Sequence, residues 1–384
     1  MRKLLVIIQD RLSEIIEKGE ITERYYNPGD LFDEVHILMT NDDTPDPAPL
    51  GRMVGRARLV LHNLPAGRLL AATTLGWQSR LLKRWAEPAI SIARELRPDL
   101  IRCHGCGVNA FIAHQVNRKF GVPYVVSLHT NPDQAIYTDG LSHARLASAK
   151  AFEKIQNSAL QNARLVLPVY KPIIPYLDRL NVKNYRVAYN VLNPSHLRRK
   201  EDYALHSPPR IICVGRQIIG KIPENLIIAV SKLPDARLSM IGDGEYHEYL
   251  KKVAEGSGAG DRIEFIRAMP NDELCDRMTD YDIFAAHSDY TEISKAVLEP
   301  LLSGMPVIVN RLSESPVPEL EGDFAMLVNN TSAGYHSALK LLIEDDKTRE
   351  KTGRRAFEHS RALWDPSVTE ANFAGIYTEI ISSK

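Results

Sequence analysis

The chain has 384 residues, with 48 Lys and Arg balanced by 48 Asp and Glu, 44% hydrophobic residues and 4 cysteines. A quarter of the residues are charged and the apolar fraction is ordinary, which excludes the disordered, collagen-like and disulfide-scaffold classes, and the length suits about two domains of roughly 150 residues each. The charge is segregated: residues 1–200 hold 28 basic against 18 acidic side chains, and residues 51–200 hold 23 against 7. A basic half joined to an acidic half points to two domains facing different partners, with anionic lipid or an acidic acceptor drawn to the first; solvated charges that merely segregate are the plain alternative.

Met1-Arg2-Lys3 is followed by only Leu4 to Ile8 before Gln9, too short an apolar run for a signal peptide. With no apolar stretch of membrane-spanning length, a cytoplasmic location is expected, peripheral at most at the inner membrane face. Leu4 to Ile8, Val35 to Met39, Leu100 to Cys103, Tyr124 to Leu128, Leu165 to Val169 and Tyr185 to Ala188 read as strands, mostly without polar alternation. Such strands are buried on both faces, as in a parallel sheet covered by helices. Gly51 to Arg84 reads as a crossover helix, and Ile21 onward as a helix after the Gly19 loop. Cys103 and Cys106 have ligand spacing, but no second pair exists for a zinc ribbon, so reduced cysteines at a strand end are expected.

A polar stretch with Pro208 and Pro209 then precedes a second strand series: Ile211 to Val214, Leu238 to Ile241, Ile263 to Ile266, Ile283 to Ala286, Val307 to Val309 and Met326 to Val328. The expected organisation is an α/β chain of two doubly wound Rossmann-like domains facing a cleft. Residues 1–190 form the first domain, 191–209 a linker and 210–364 the second domain. Residues 365–384 form a last helix that caps its own domain or crosses back to the first. Ligands of such sheets bind beyond the carboxyl ends of the strands.

The most informative segment is Cys213-Val214-Gly215-Arg216, followed by Lys221 and a helix opening at Pro223-Glu224-Asn225. Two cations five positions apart beyond a strand end can converge on one polyanion and hold charge where it develops. Downstream come Ile241-Gly242-Asp243-Gly244, Met269-Pro270-Asn271-Asp272-Glu273-Leu274, Tyr281-Asp282-Ile283-Phe284, and Leu298-Glu299-Pro300 through Ser303-Gly304-Met305-Pro306. In order and spacing this series resembles the C-terminal half of retaining GT-B glycosyltransferases of family 4, the glycosyl transferases group 1. The likeness is specific over residues 210–320 and looser elsewhere.

The resemblance implies that Arg216 and Lys221 bind the donor's diphosphate beside Gly215, and that Glu299 holds the ribose hydroxyls of the nucleotide. Backbone groups of Arg267, Ala268 and Met269 would lie along the base. Eight residues before Glu299 the family has a first acid at the transferred sugar. This chain has Thr291 there, with Glu292 one position late, so either Glu292 or Thr291 serves the sugar, or the sugar differs. Ile293, Ser294 and Lys295 would present a helix start to phosphate. Gly19 matches a glycine loop near the phosphates, and His129 a histidine at the sugar and acceptor side; His104, Asn109 and Asn190 are further candidates nearby.

Asp280-Tyr281-Asp282 has the look of a metal motif, but it runs directly into a strand, so no metal is expected. The implied activity moves a hexosyl unit from a UDP- or GDP-sugar to a saccharide or lipid-linked acceptor, in surface polysaccharide or glycolipid synthesis. No cofactor beyond the donor substrate and no nucleic-acid partner are expected. A nucleotide-sugar 2-epimerase and a non-catalytic nucleotide-sugar-binding homologue are the rivals.

Overall fold

The computed structural model describes residues 1–66, 78–134, 153–193, 195–312 and 316–383. They divide into two compact units, one of Met1–Glu17, Ile21–Val191 and Thr369–Lys384, the other of Lys18–Glu20 and Leu192–Val368.

Unit 1 is built on β1 (Lys3–Ile8), β2 (Glu34–Met39), β3 (Arg58–Asn63), β4 (Leu100–His104), β5 (Tyr124–Leu128) and β6 (Leu165–Pro168). All are parallel, in the order β3-β2-β1-β4-β5-β6. The central strands have no polar alternation because both faces are covered, so β4 and β5 are buried at every residue. Val6, Ile37 and Leu100 lie in one core with Phe373, Ile376, Tyr377 and Ile380 of the last helix. That helix, Pro366–Ser382, therefore completes the unit that begins the chain.

Unit 2 repeats the architecture with β7 (Arg210–Val214), β8 (Arg237–Ile241), β9 (Ile263–Ile266), β10 (Ile283–Ala286), β11 (Val307–Asn310) and β12 (Met326–Val328), again all parallel. Its order is β12-β11-β10-β7-β8-β9. Counted from the first strand of its own unit, each sheet runs 3-2-1-4-5-6, the doubly wound order whose direction reverses beside the first strand. The reversal falls between β1 and β4 in one unit and between β7 and β10 in the other.

Several local expectations need correction. Gly51 to Arg84 is not one helix, for it contains β3. This edge strand is half-exposed, and Arg58 and His62 interrupt its apolar run, which hides the strand signal. Residues 67–77 of that stretch lie outside the described residues, and Gln78–Leu96 is helical. Tyr185 to Ala188 forms only an isolated bridge from Tyr185 to Val166. The short helix next to Gly19 precedes it, at Leu12–Glu17, rather than following it from Ile21.

The stretch before β7 is polar, yet it is pinned to unit 2. The Lys200 ammonium donates to the carbonyls of Thr279 (2.9 Å) and Tyr281 (2.8 Å), and the Tyr203 hydroxyl to that of Gly304 (2.9 Å). The buried Asp282 carboxylate accepts from the N–H of Arg210 at 2.7 Å and meets the His206 ring at 2.8 Å. Those bonds give Asp282 a place in the fold. Among the described residues no helix is long and apolar enough to cross a membrane.

Candidate active site

A cavity of about 390 Å³ opens at the switch point of the second sheet. The loop after β7 contributes Gly215, Arg216, Gln217 and Lys221; the loop after β10 contributes His287, Ser288 and Glu292; the helix Lys295–Leu302 contributes its first turn and Glu299. Lys18 and Glu20, which belong to the same unit, also line it. The carboxyl ends of β7 and β10 thus supply the walls, where the topology leaves a crevice.

The loop carrying Arg216 is fixed by backbone contact. Gly242 follows β8 at φ +139°, and a Cβ there would stand 2.0 Å from the Gly215 carbonyl oxygen, so only glycine lets the two loops meet. The Gln217 amide donates to the Gly242 carbonyl (2.9 Å) and meets the His247 ring through its oxygen (2.8 Å). Arg216 itself is exposed and holds no carboxylate among the described residues.

Lys221 is differently placed. Its ammonium is ion-paired with the Glu292 carboxylate and lies 5.4 Å from the centroid of the Tyr290 ring. The Tyr290 hydroxyl donates to the Ile219 carbonyl at 2.9 Å, and the Asp289 N–H to that of Gly220 at 2.7 Å, so the two loops are clasped together. Glu292, one position later than the expected acid, therefore lines the cavity and holds the Lys221 ammonium. Thr291 is buried and lies outside the lining.

The helix that faces the cavity begins at Lys295 with Ser294 as its cap, so Ile293 precedes it and Ser294 is not within it. The N–H groups of Lys295 and Ala296 have no partner inside the helix and carry the positive end of its dipole. One turn further in, Glu299 is buried, its carboxylate accepting from the Asn271 amide at 2.9 Å and lying 3.7 Å from the Lys295 ammonium. Burial pushes the Glu299 carboxyl above its ordinary pKa, against the pull of Lys295 and Asn271. Lys295 also reaches Glu20 at 3.7 Å.

The remaining expected residues fall elsewhere. Gly19, at φ +64°, lies against the start of the helix Asn271–Met278, where a Cβ would be 2.9 Å from Asp272 Oδ1. Arg267 follows β9 and pairs with Asp243 (2.7 Å) and Glu248 (2.7 Å), and with Ala268 and Met269 it lies outside the cavity lining. His129 follows β5 in unit 1, bonded to Asn190 with its ring 4.7 Å from that of His104. Lys18, Glu20 and His287 are pocket residues that the sequence reading passed over. A histidine placed directly after the strand at the switch point was the available signal for the last of these.

Two Rossmann-like sheets of this order place the chain in the GT-B fold class. An Anabaena HepE structure in complex with UDP-glucose superposes with a TM-score of 0.71 at 15% identity, covering 100% of both chains. Family models for the glycosyl transferase 4-like domain and for the glycosyl transferases group 1 match residues 29–191 and 198–359 respectively. The chain belongs to the glycosyl transferases group 1. A sulfoquinovosyl transferase of Arabidopsis thaliana is 29% identical over 358 residues, 89% of this chain and 66% of that protein. A D-inositol 3-phosphate glycosyltransferase of Corynebacterium glutamicum is 31% identical over 49% of this chain and 47% of its own. The chain thus spans between about half and two thirds of these relatives' length.

Proposed function

We propose that the protein is a retaining, metal-independent glycosyltransferase that moves a hexosyl unit from a nucleotide diphosphate sugar to an acceptor hydroxyl. The observation that carries this reading is the gathering of Arg216, Lys221, Lys295 and the helix start at Lys295 around one cavity of a group 1 glycosyl transferase. Positive charge from side chains and a helix terminus is what a departing nucleoside diphosphate requires. Glu299, one turn deeper, suits the ribose, because a carboxylate accepts from two adjacent hydroxyls at once. By the family resemblance the base, uridine or guanosine, would lie along the Arg267 to Met269 loop beyond the cavity lining, and Gly19 stands between the cavity residues Lys18 and Glu20.

In the reaction the bond between the anomeric carbon and the diphosphate oxygen breaks as the acceptor oxygen bonds to the same face. The acceptor's proton passes to the departing phosphate oxygen, so no dedicated protein base is needed. Arg216 and Lys221 hold the charge that grows on the diphosphate. His129, whose Nε2 has no partner among the described residues, is the candidate for a hydroxyl contact on the acceptor side. The acceptor is a saccharide or a lipid-linked saccharide, in surface polysaccharide or glycolipid synthesis. The surplus of basic residues over 51–200 would draw the protein to the inner face of an anionic membrane.

Incubation with UDP- and GDP-hexoses and a panel of glycan acceptors tests the reading. The expected result is transfer in the presence of EDTA, with the donor's anomeric configuration kept in the product by NMR. Thr291 at the first acid position favours a second reading, a donor-binding protein without catalysis. Donor binding with neither transfer nor hydrolysis across the panel would establish that reading instead.

A further inference from the structure

One side chain of the cavity is used by neither the diphosphate grip nor the ribose contact. His287 directly follows β10 at the switch point and lines the cavity, and its side chain is 2% exposed. Its backbone is braced from β11: the Ser288 N–H donates to Asn310 Oδ1 at 2.8 Å, and the Asn310 amide donates to the Ser288 carbonyl at 2.9 Å. The two ring nitrogens differ sharply in surroundings. Nε2 lies 3.4 Å from Asp289 Oδ2, whereas Nδ1 is buried with no hydrogen-bond partner among the described residues.

A neutral imidazole has one N–H and one lone pair. With the hydrogen of a neutral ring on Nε2, the nitrogen nearer the accepting Asp289 carboxylate, Nδ1 is left as an acceptor. A buried acceptor without a donor is unfavourable, and a ligand that brings an O–H into the cavity relieves it. We infer that His287 Nδ1 accepts a hydrogen bond from a hydroxyl of the bound sugar nucleotide, and so adds a contact that neither the cation pair nor Glu299 supplies. The inference rests on the donor-binding reading above. Two hydroxyl sources share this chemistry, the ribose of the nucleotide and the transferred sugar.

Calorimetry of the full chain with UDP, GDP, UDP-glucose and GDP-mannose tests it, on the wild type and on His287→Asn, His287→Gln and His287→Phe. The asparagine oxygen can stand where Nδ1 stands, whereas glutamine reaches only to the Nε2 position. Glutamine and phenylalanine are expected to weaken binding about tenfold, with asparagine within about threefold of wild type. A loss already present with the nucleoside diphosphates assigns the ribose, and one confined to the nucleotide sugars assigns the transferred sugar. Unchanged affinities in all three variants would overturn the assignment of His287 alone. Equal losses in all three, with equally lowered melting temperatures, would do the same by showing a packing role. A wild type that binds none of the four ligands would overturn the donor reading and this inference together.

Discussion

Two sheets of the same strand order end in opposite chemistry. In unit 1 the carboxyl ends of β4 and β5 carry His104 and His129 close to Arg102, whose guanidinium is sealed in the core. Arg102 donates to the Tyr25 carbonyl at 2.7 Å and lies 4.9 Å and 5.0 Å from the centroids of Tyr25 and Phe373. Burial, with Arg102 adding to it, lowers the His129 pKa to about 4 and holds that of His104 well below the ordinary value, so both rings are neutral at physiological pH. In unit 2 the loop after β7 carries exposed Arg216 and half-buried Lys221, and Lys18 and Lys295 line the same cavity, with the buried His287 just past β10. Strand order sets where a crevice forms, and the loops that follow the first strand set whether cations line it.

The sharpest way to break this contrast is to exchange a cation in each unit. Arg102→Ala removes a buried bond and leaves a void among Tyr25, Tyr26 and Phe373, so a destabilisation of about 3–5 kcal/mol is expected in guanidinium unfolding. Arg216→Ala should leave the unfolding midpoint unchanged and instead weaken donor binding. A similar stability loss in both variants would end the distinction between a structural and a functional cation.

Within the cavity, Lys221→Ala should lower kcat by about 10²-fold with a smaller effect on donor affinity, because its partner's charge grows in the transition state. Glu299→Ala should do the reverse, weakening nucleotide binding about tenfold with kcat less affected. Steady-state kinetics with both variants separates the two roles.

A pH titration of stability addresses unit 1. The folded-state pKa of His129 lies at about 4, below its unfolded value. Its contribution is therefore fully present above about pH 6.5 and lost as pH falls toward 4, since the unfolded state takes up the proton first. A decline of about 3 kcal/mol from His129 is expected across that window, and His129→Gln should remove that part while the share of His104 stays. The smallest effect concerns Glu292, which is ion-paired with Lys221. Glu292→Gln removes a competitor for that ammonium and should tighten UDP or GDP binding about threefold. A contact with the transferred sugar would instead appear as lost kcat at unchanged nucleotide affinity.

Most of the fold was legible because continuous apolar runs such as Tyr124 to Leu128 and Ile283 to Ala286 have no other use than a covered parallel strand. The edge strand Arg58–Asn63 was not, because half-exposure admits Arg58 and His62 and erases the pattern. In the site, Arg216 and Lys221 stood out as two cations beyond a strand end, while their role and the place of Glu299 came from the family resemblance. Lys18 and Glu20 could not, since their place beside Asn271 and Lys295 depends on packing between segments some 250 residues apart, which local periodicity does not encode. The pairing of Glu292 with Lys221 is likewise a product of two loops meeting across β10 and β7.

The return of the last helix to the first core bears on how the chain acquires its structure. Phe373, Ile376, Tyr377 and Ile380 fill the interior that Val6 and Ile37 open. Unit 1 therefore cannot complete its core until Thr369–Lys384 has been made, after every strand of unit 2. Domains usually mature from the amino end as synthesis proceeds. Here unit 2 is complete at Val368, before the segment that closes unit 1, so that order is free to reverse.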